Sequence, residues 1–146
     1  QFLSMDMSRK HKTSRAGRYC RQIIVTDMFT DRWYPLFVQR KSQAPQAVAE
    51  LVAKLNNLQA PLTVAVIRTD SESVLNSSAM RRALPPGIDI KPSPPGEQHK
   101  NPAESTMKRH QRAQHVLLLR ANMPPSSWPW ASQHVRLLGP QPAQQS

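Results

Sequence analysis

The sequence contains one cysteine, few acidic residues and no long apolar run. The single cysteine, Cys20, excludes an internal disulfide and a thiolate-rich zinc site. No apolar run approaches the roughly 20 residues that cross a bilayer, and the first residues lack the apolar stretch of a secretory signal. We therefore expect a soluble chain that has no membrane partner. The first residue is Gln, which indicates a piece of a longer protein.

Basic residues greatly exceed acidic ones. The 146 residues include 20 Lys and Arg against 9 Asp and Glu, which gives a net charge of +11. Such an excess attracts polyanions, of which nucleic acid is the commonest, although a basic tail would show the same balance. The length suits one small domain. We expect this domain over residues 1–139, followed by a frayed tail over 140–146.

Hydrophobic periodicity and turn signals predict an α/β domain with a mixed sheet whose faces are covered by helices. The predicted strands are Gln1–Met7, Tyr19–Met28, Trp33–Gln39, Leu62–Thr69 and Ile88–Ile90, and the predicted helices are Lys41–Leu58, Val74–Leu84, Asn101–Asn122 and Trp128–Leu138. Pro35 favours an edge position or a bulge for the third strand. The Pro-rich segment from Lys91 to Asn101 is predicted to be a loop.

Three of the nine acidic residues fall at the ends of predicted elements. Asp6 and Asp70 lie at strand ends, and Glu104 lies in the first turn of a helix. Ligands of open α/β sheets bind at the carboxyl ends of strands, where three carboxylates would share Mg²⁺ or Mn²⁺ in preference to zinc. Two such ions about 4 Å apart activate an attacking water or hydroxyl and stabilise the leaving oxygen in phosphodiester displacement.

Each of these acids also has a structural interpretation. Asp6 is also explained as an ordinary strand-end residue that faces water. Asp70 is better supported because it follows a buried strand, although aspartates at strand ends also start turns. Asn101 followed three residues later by Glu104 is the pattern of a helix capping box. A fourth acid, Asp27, falls inside the second predicted strand, and we interpret it as structural.

Basic residues near the acids are candidates for DNA contact. Lys108 and Arg112 follow Glu104 at helical spacing, so they share its face of the helix and are suited to hold phosphates. The other candidates are His99 and Lys100 before Glu104, and Arg9, Lys10 and Lys12 in the connection between the first two strands. A solvated basic surface explains these residues equally well.

Six segments of the chain carry a resemblance to a known family: Met5–Asp6, Ile24–Trp33, Val66–Asp70, Ser93–Gln98, Asn101–Glu104 and Trp128–Leu138. From about Ser4 to Leu138, the chain resembles the catalytic core of retroviral and retrotransposon integrases, more closely the copia type. The resemblance implies a ribonuclease-H-like fold, with a mixed five-stranded sheet and helices on both faces, in a fragment of a Pol polyprotein.

The resemblance also implies a function. Asp6, Asp70 and Glu104 would form a triad that holds two Mg²⁺ or Mn²⁺ ions for 3′-end processing and strand transfer of element DNA, which is a polynucleotidyl transferase activity. The implied partners are element ends, target DNA and further copies of the chain on that DNA, in the nucleus or in a cytoplasmic virus-like particle. The alternatives are an inactive remnant that only binds nucleic acid, and a related nuclease such as a ribonuclease H.

Overall fold

The computed structural model describes residues 2–8, 11, 13–14, 16–58, 63–70, 75, 77–93 and 102–138. Within them the elements are β1 (Phe2–Met7), β2 (Arg21–Asp27), β3 (Trp33–Val38), α1 (Ala44–Leu58), β4 (Val66–Asp70), α2 (Ser78–Ala83), β5 (Asp89–Ser93), α3 (Pro102–Arg120) and α4 (Trp128–Leu138). Asp70, Ser93, residues 102–104 and residues 136–138 are described by their backbone alone. The expected tail over 140–146 lies outside the described residues. No helix in the described ranges combines the length and the apolar character that crossing a membrane requires.

The strands form one mixed sheet in the order β3-β2-β1-β4-β5. β1 and β2 pair antiparallel, as do β2 and β3, whereas β4 runs parallel to β1 and β5 runs parallel to β4. Pro35 lies in β3 at one edge of the sheet. A residue without an N–H is tolerated there because the strand has a neighbour on one side only. The predicted mixed sheet, with Pro35 in an edge strand, is confirmed.

β5 extends beyond its predicted end. The strand was expected to stop at Ile90 and a loop to begin at Lys91, but β5 continues to Ser93 with Pro92 opposite Thr69. That expectation is wrong because β5 is the other edge of the sheet and has β4 as its single neighbour. A proline, which has no backbone N–H to donate, is tolerated in such an edge strand. The rest of the predicted loop, residues 94–101, lies outside the described residues.

α2 is shorter than the predicted helix, which began at Val74. It begins at Ser78, because the hydroxyl of Ser77 accepts a hydrogen bond of 3.1 Å from the backbone N–H of Met80 and so caps the helix. Pro85 and Pro86 follow its C-terminal end and prevent its continuation.

α1 buries one stripe of side chains against the first face of the sheet. Val48, Leu51, Val52 and Leu55 recur at helical spacing, and each is at most 9% exposed. Their partners in the sheet are Leu3, Met5, Ile23, Val25 and Ile67. Burial of each such side chain stabilises the fold by about 1.5–3 kcal/mol.

α3 and α4 cover the opposite face. Leu118, Trp128 and Ala131 form a second apolar cluster, against which Phe37 of β3 packs. The two helices and the sheet also carry seven buried polar residues, each at most 5% exposed: Ser4, Gln22, Thr26, Thr106, His110, Gln114 and Ser132. Helices on both faces of the sheet are therefore confirmed.

Candidate active site

Asp6 and Asp70 lie on neighbouring parallel strands. β1 and β4 pair in a register that sets Phe2 opposite Val66. The same register, continued to the carboxyl ends of the strands, brings Asp6 level with Asp70. Neighbouring strands are about 4.8 Å apart, and residues that are level in a parallel pair share one face of the sheet. The fold therefore brings these two predicted site residues together at one end of the sheet.

The burial of β1 identifies that face. Leu3 and Met5 are fully buried in the cluster beneath α1, so Ser4 and Asp6, which alternate with them, belong to the face covered by α3 and α4. Ser4 is fully buried, whereas Asp6 is half-buried. Asp6 thus lies where the packed interface meets the surface, as an acid that binds a solvated ligand must.

Glu104 lies in the first turn of α3, which begins at Pro102. α3 packs against β1 and β2, and its second half reaches β2 through Gln114 and β3 through Leu118. From this crossing we infer that the first turns of α3 lie towards β1, the strand that carries Asp6. Asn101, the cap in the alternative interpretation of Glu104, lies outside the described residues, so that interpretation stays a prediction.

A chain of buried hydrogen bonds joins α3 to β2 and α4. Gln22 of β2 donates from Nε2 to Oε1 of Gln114 at 3.1 Å, and its own Oε1 accepts from the hydroxyl of Ser132 at 2.7 Å. Nε2 of His110 lies 2.6 Å from the same Ser132 Oγ. Because the single hydroxyl proton is given to Gln22, the His110 ring donates from Nε2. The chain fixes α3 against the sheet that carries Asp6.

The tautomer of His110 leaves its other ring nitrogen as an acceptor. Nδ1 is buried and has no hydrogen-bond partner among the described residues, while the ring packs edge-on against Trp33 at 5.5 Å between centroids. Burial lowers the pKa of His110 to about 4, so the imidazole is neutral at neutral pH. Sequence reasoning missed this group. Its one signal was Gln22, a polar residue directly before the apolar run Ile23–Val25 of β2.

Asp27 has the structural role expected of it. The residue is 2% exposed at the end of β2, and its Oδ1 accepts a 2.9 Å hydrogen bond from the backbone N–H of Phe29. The backbone N–H of Asp31 also bonds to the Asp27 carbonyl at 2.8 Å. Asp27 thus organises the β2–β3 turn, at the end of β2 remote from Asp6.

The candidate DNA contacts on α3 lie on its outer surface. Lys108 and Arg112 are both exposed and stand one helical turn apart. Arg109, which the sequence reasoning did not single out, is also exposed, and its guanidinium lies 5.9 Å from the centre of the Trp33 ring. The outer face of α3 is therefore basic over this segment. The other candidates, Arg9, Lys10, Lys12, His99 and Lys100, lie outside the described residues.

The strand order and the covering helices define a ribonuclease-H-like α/β fold. Among solved structures, the chain is similar to one from the simian T-cell lymphotropic virus intasome in complex with the PP2A regulatory subunit B56 gamma, with a TM-score of 0.66 and 17% identity. The match covers 92% of this chain and 48% of the other, so this chain spans about half the length of its structural neighbour. No family model matches the sequence, and no curated protein matches it. At 17% identity the likeness shows the fold alone.

The donor set suits a hard divalent cation. Carboxylate oxygens are the ligands that Mg²⁺ and Mn²⁺ prefer, and the register allows Asp6 and Asp70 to share an ion. Among the side chains that the structure describes, no three His, Cys, Asp or Glu residues cluster as a metal site. The side chains of Asp70 and Glu104 are not among these, because the two residues are described by their backbone alone.

Proposed function

We propose that the chain is the catalytic core of a copia-type retrotransposon integrase, a polynucleotidyl transferase that performs 3′-end processing and strand transfer. The observation that carries the proposal is the pairing register that brings Asp6 level with Asp70 at one end of a ribonuclease-H-like sheet. The crossing of α3, which directs its first turns towards β1, supports Glu104 as the third acid. The similarity to a chain of a retroviral intasome supports the proposal at the level of the fold.

In this proposal Asp6, Asp70 and Glu104 hold two Mg²⁺ or Mn²⁺ ions. When bound, such ions supply an activated water or hydroxyl and stabilise the leaving oxygen of a phosphodiester. The protein contributes carboxylates on rigid elements, since a site must be held to within about 0.5 Å to work. The hydrogen bond between Gln22 and Gln114 contributes to that rigidity by tying α3 to the sheet, and the bond between Gln22 and Ser132 ties α4 to it.

The DNA partners follow from the charge. Lys108 and Arg112 on the outer face of α3 are suited to neutralise phosphates beside the acids. The net charge of +11 attracts a polyanion such as DNA to the protein before contact is made. Element ends and target DNA, further copies of the chain on that DNA, and a nuclear or virus-like-particle location belong to the same proposal.

Metal-dependent strand transfer on labelled element-end DNA tests the activity. The wild-type chain is expected to join DNA ends in Mn²⁺, and Asp70→Asn is expected to abolish the joining because an amide is a poor ligand for a hard cation. Asp89→Asn is the matched control: Asp89 lies on the neighbouring strand β5, is 63% exposed and pairs with Lys91 at 3.9 Å. Full activity in Asp70→Asn would overturn the proposed site. Cleavage of an RNA–DNA hybrid in a parallel assay would identify a ribonuclease H instead.

The second candidate function is nucleic-acid binding without catalysis, favoured by the exposed Lys108, Arg109 and Arg112 on one helix. It predicts that binding needs no metal and weakens steeply with salt, because released counterions accompany each phosphate contact. The discriminating result is a wild-type chain that binds DNA in this way yet joins and cleaves none in either metal. Binding that is indifferent to salt would contradict both functions.

A further inference from the structure

A pocket of about 300 Å³ opens between the second half of α3, the start of α4 and the connection between β1 and β2. The α3 side is a single helical stripe, and His11 and Trp128 stand across from it. The stripe consists of Gln111, Gln114, His115 and Leu118. This volume is at the lower end of the range of small-ligand pockets, about 300–1,000 Å³.

The lining of the pocket is neutral although the chain is strongly basic. Among the described residues that line it, none is Lys, Arg, Asp or Glu, and the polar groups are amides and imidazoles. Gln114 is 5% exposed, and its Oε1 already accepts from Gln22, so its amide nitrogen is the remaining donor. Gln111 is half-buried, and Leu118 supplies an apolar wall. The pocket thus suits a flat, uncharged, hydrogen-bonding group.

An aromatic pair forms one side of the pocket. The rings of His11 and Trp128 are stacked, with centroids 4.5 Å apart and planes inclined by 26°. Trp128 is 2% exposed and His11 is half-buried, so His11 is the more accessible residue of the pair. Nε2 of its ring is buried and has no hydrogen-bond partner among the described residues. Burial, and then the positive charge of Arg21, lower the pKa of His11, which keeps this ring neutral.

A positive charge follows directly after one of the lining residues of α3. Arg112 is exposed and adjacent in the chain to Gln111, and it stands one helical turn before His115. A ligand with a neutral planar part and an anionic part therefore fits the site, because the planar part suits the neutral lining and the anionic part suits the guanidinium of Arg112. A nucleotide has this combination, since its base is neutral and its phosphate is charged.

We propose that this pocket receives an unpaired nucleobase of a nucleic-acid strand that lies along α3, an inference that rests on the nucleic-acid binding of the proposed function. The base lies against the imidazole of His11, and its edge bonds to the amides of Gln111 and Gln114, as bases bond to Gln in other complexes. The phosphate contacts Arg112. The neutral lining makes a phosphate group itself an unsuitable occupant.

The test compares two fluorescent ten-residue strands of equal charge, an oligothymidylate and an abasic deoxyribose-phosphate strand, by anisotropy at one salt concentration. The wild-type chain is expected to bind the oligothymidylate about tenfold more tightly, because each stacked base adds to the affinity. Gln111→Leu is expected to reduce this preference several-fold while its affinity for the abasic strand stays unchanged. Gln133→Leu is the matched control, since Gln133 is exposed on α4 outside the pocket lining, and it is expected to keep the wild-type preference.

Equal affinity of the wild-type chain for both strands would overturn the inference, as would an equal effect of Gln111→Leu and Gln133→Leu. His115→Ala provides a second probe of the pocket wall, and loss of the base preference in that variant supports the inference. Arg112→Gln is expected to weaken both strands to the same extent. Salt-sensitive binding of both strands without preference leaves the proposed function standing, whereas absence of binding to either strand counts against that function itself.

Discussion

The buried imidazole of His110 makes the stability of the protein depend on pH. The residue is fully buried, its Nε2 is bonded to Ser132, and its Nδ1 has no partner among the described residues. Protonation would place a charge and a new N–H at Nδ1, away from water and without an acceptor. The cost explains why the pKa of His110 is lowered to about 4.

The displacement from the ordinary imidazole value of 6.5 to about 4 corresponds to about 3 kcal/mol of free energy of unfolding. The folded-state pKa is the lower one, so the unfolded chain binds the proton first as the pH falls. His110 therefore contributes its full stabilisation above pH 6.5, and this contribution is lost progressively as the pH falls from about 6.5 to about 4.

Urea denaturation of the wild-type chain and of His110→Gln, at several values between pH 7 and pH 4, measures this contribution. The glutamine keeps an N–H donor for Ser132 but does not titrate. We expect the wild-type free energy of unfolding to fall by about 3 kcal/mol more than that of the variant over this range. The carboxylates and the other histidines are shared by both proteins, so their titration cancels in the comparison. Parallel pH profiles would refute the buried, neutral state of His110.

Three further predictions concern the fold and its charge. Gly17→Ala is expected to lower the free energy of unfolding by at least about 1–2 kcal/mol, because the φ of +75° disfavours a side chain and the new Cβ clashes with the ring of Tyr19. Gly87→Ala is expected to lower it less in the same denaturation assay, because no atom lies near the new Cβ, although the φ there is +92°. Leu55→Ala is expected to lower the free energy of unfolding by about 2–5 kcal/mol, because Leu55 is 3% exposed. Leu58→Ala is expected to lower it by at most about 0.5 kcal/mol, because Leu58 is 81% exposed. Equal losses of stability would contradict the core described for α1. Lys108→Gln is expected to lower the slope of log affinity for DNA against log salt by about 1, and an unchanged slope would exclude a phosphate contact there.

The sheet and its helices were predictable because their signals are local and periodic. The apolar stripe of α1 from Val48 to Leu55 appears in the sequence at the spacing that the structure uses. The apolar run Val64–Ile67 also indicated a strand, but β4 begins at Val66 and not at the predicted Leu62. The end of β5 was not predictable, because Pro92 breaks a strand in general and is tolerated here only by the edge position. Edge positions follow from strand order, which is a property of the whole fold.

The candidate site was predictable in part. Asp6 and Asp70 could be placed near each other because parallel strands end at the same side of a sheet. The polar chain of Gln22, Ser132 and His110 could not be anticipated. Ser132 follows His110 by 22 positions in the sequence and Gln22 by 110 positions. Hydrogen bonds of this kind depend on how α3 and α4 cross the sheet, which no spacing along the chain encodes.

Titration calorimetry with Mn²⁺ tests the central claim, that Asp6 and Asp70 jointly hold a divalent cation at the end of the sheet. We predict that the wild-type chain and the Asp89→Asn control bind Mn²⁺ with the same affinity. Asp6→Asn and Asp70→Asn are each expected to lose most of this binding, because each removes one of the two carboxylates that the register of β1 and β4 brings level. Equal Mn²⁺ affinity in all four folded proteins would contradict the account.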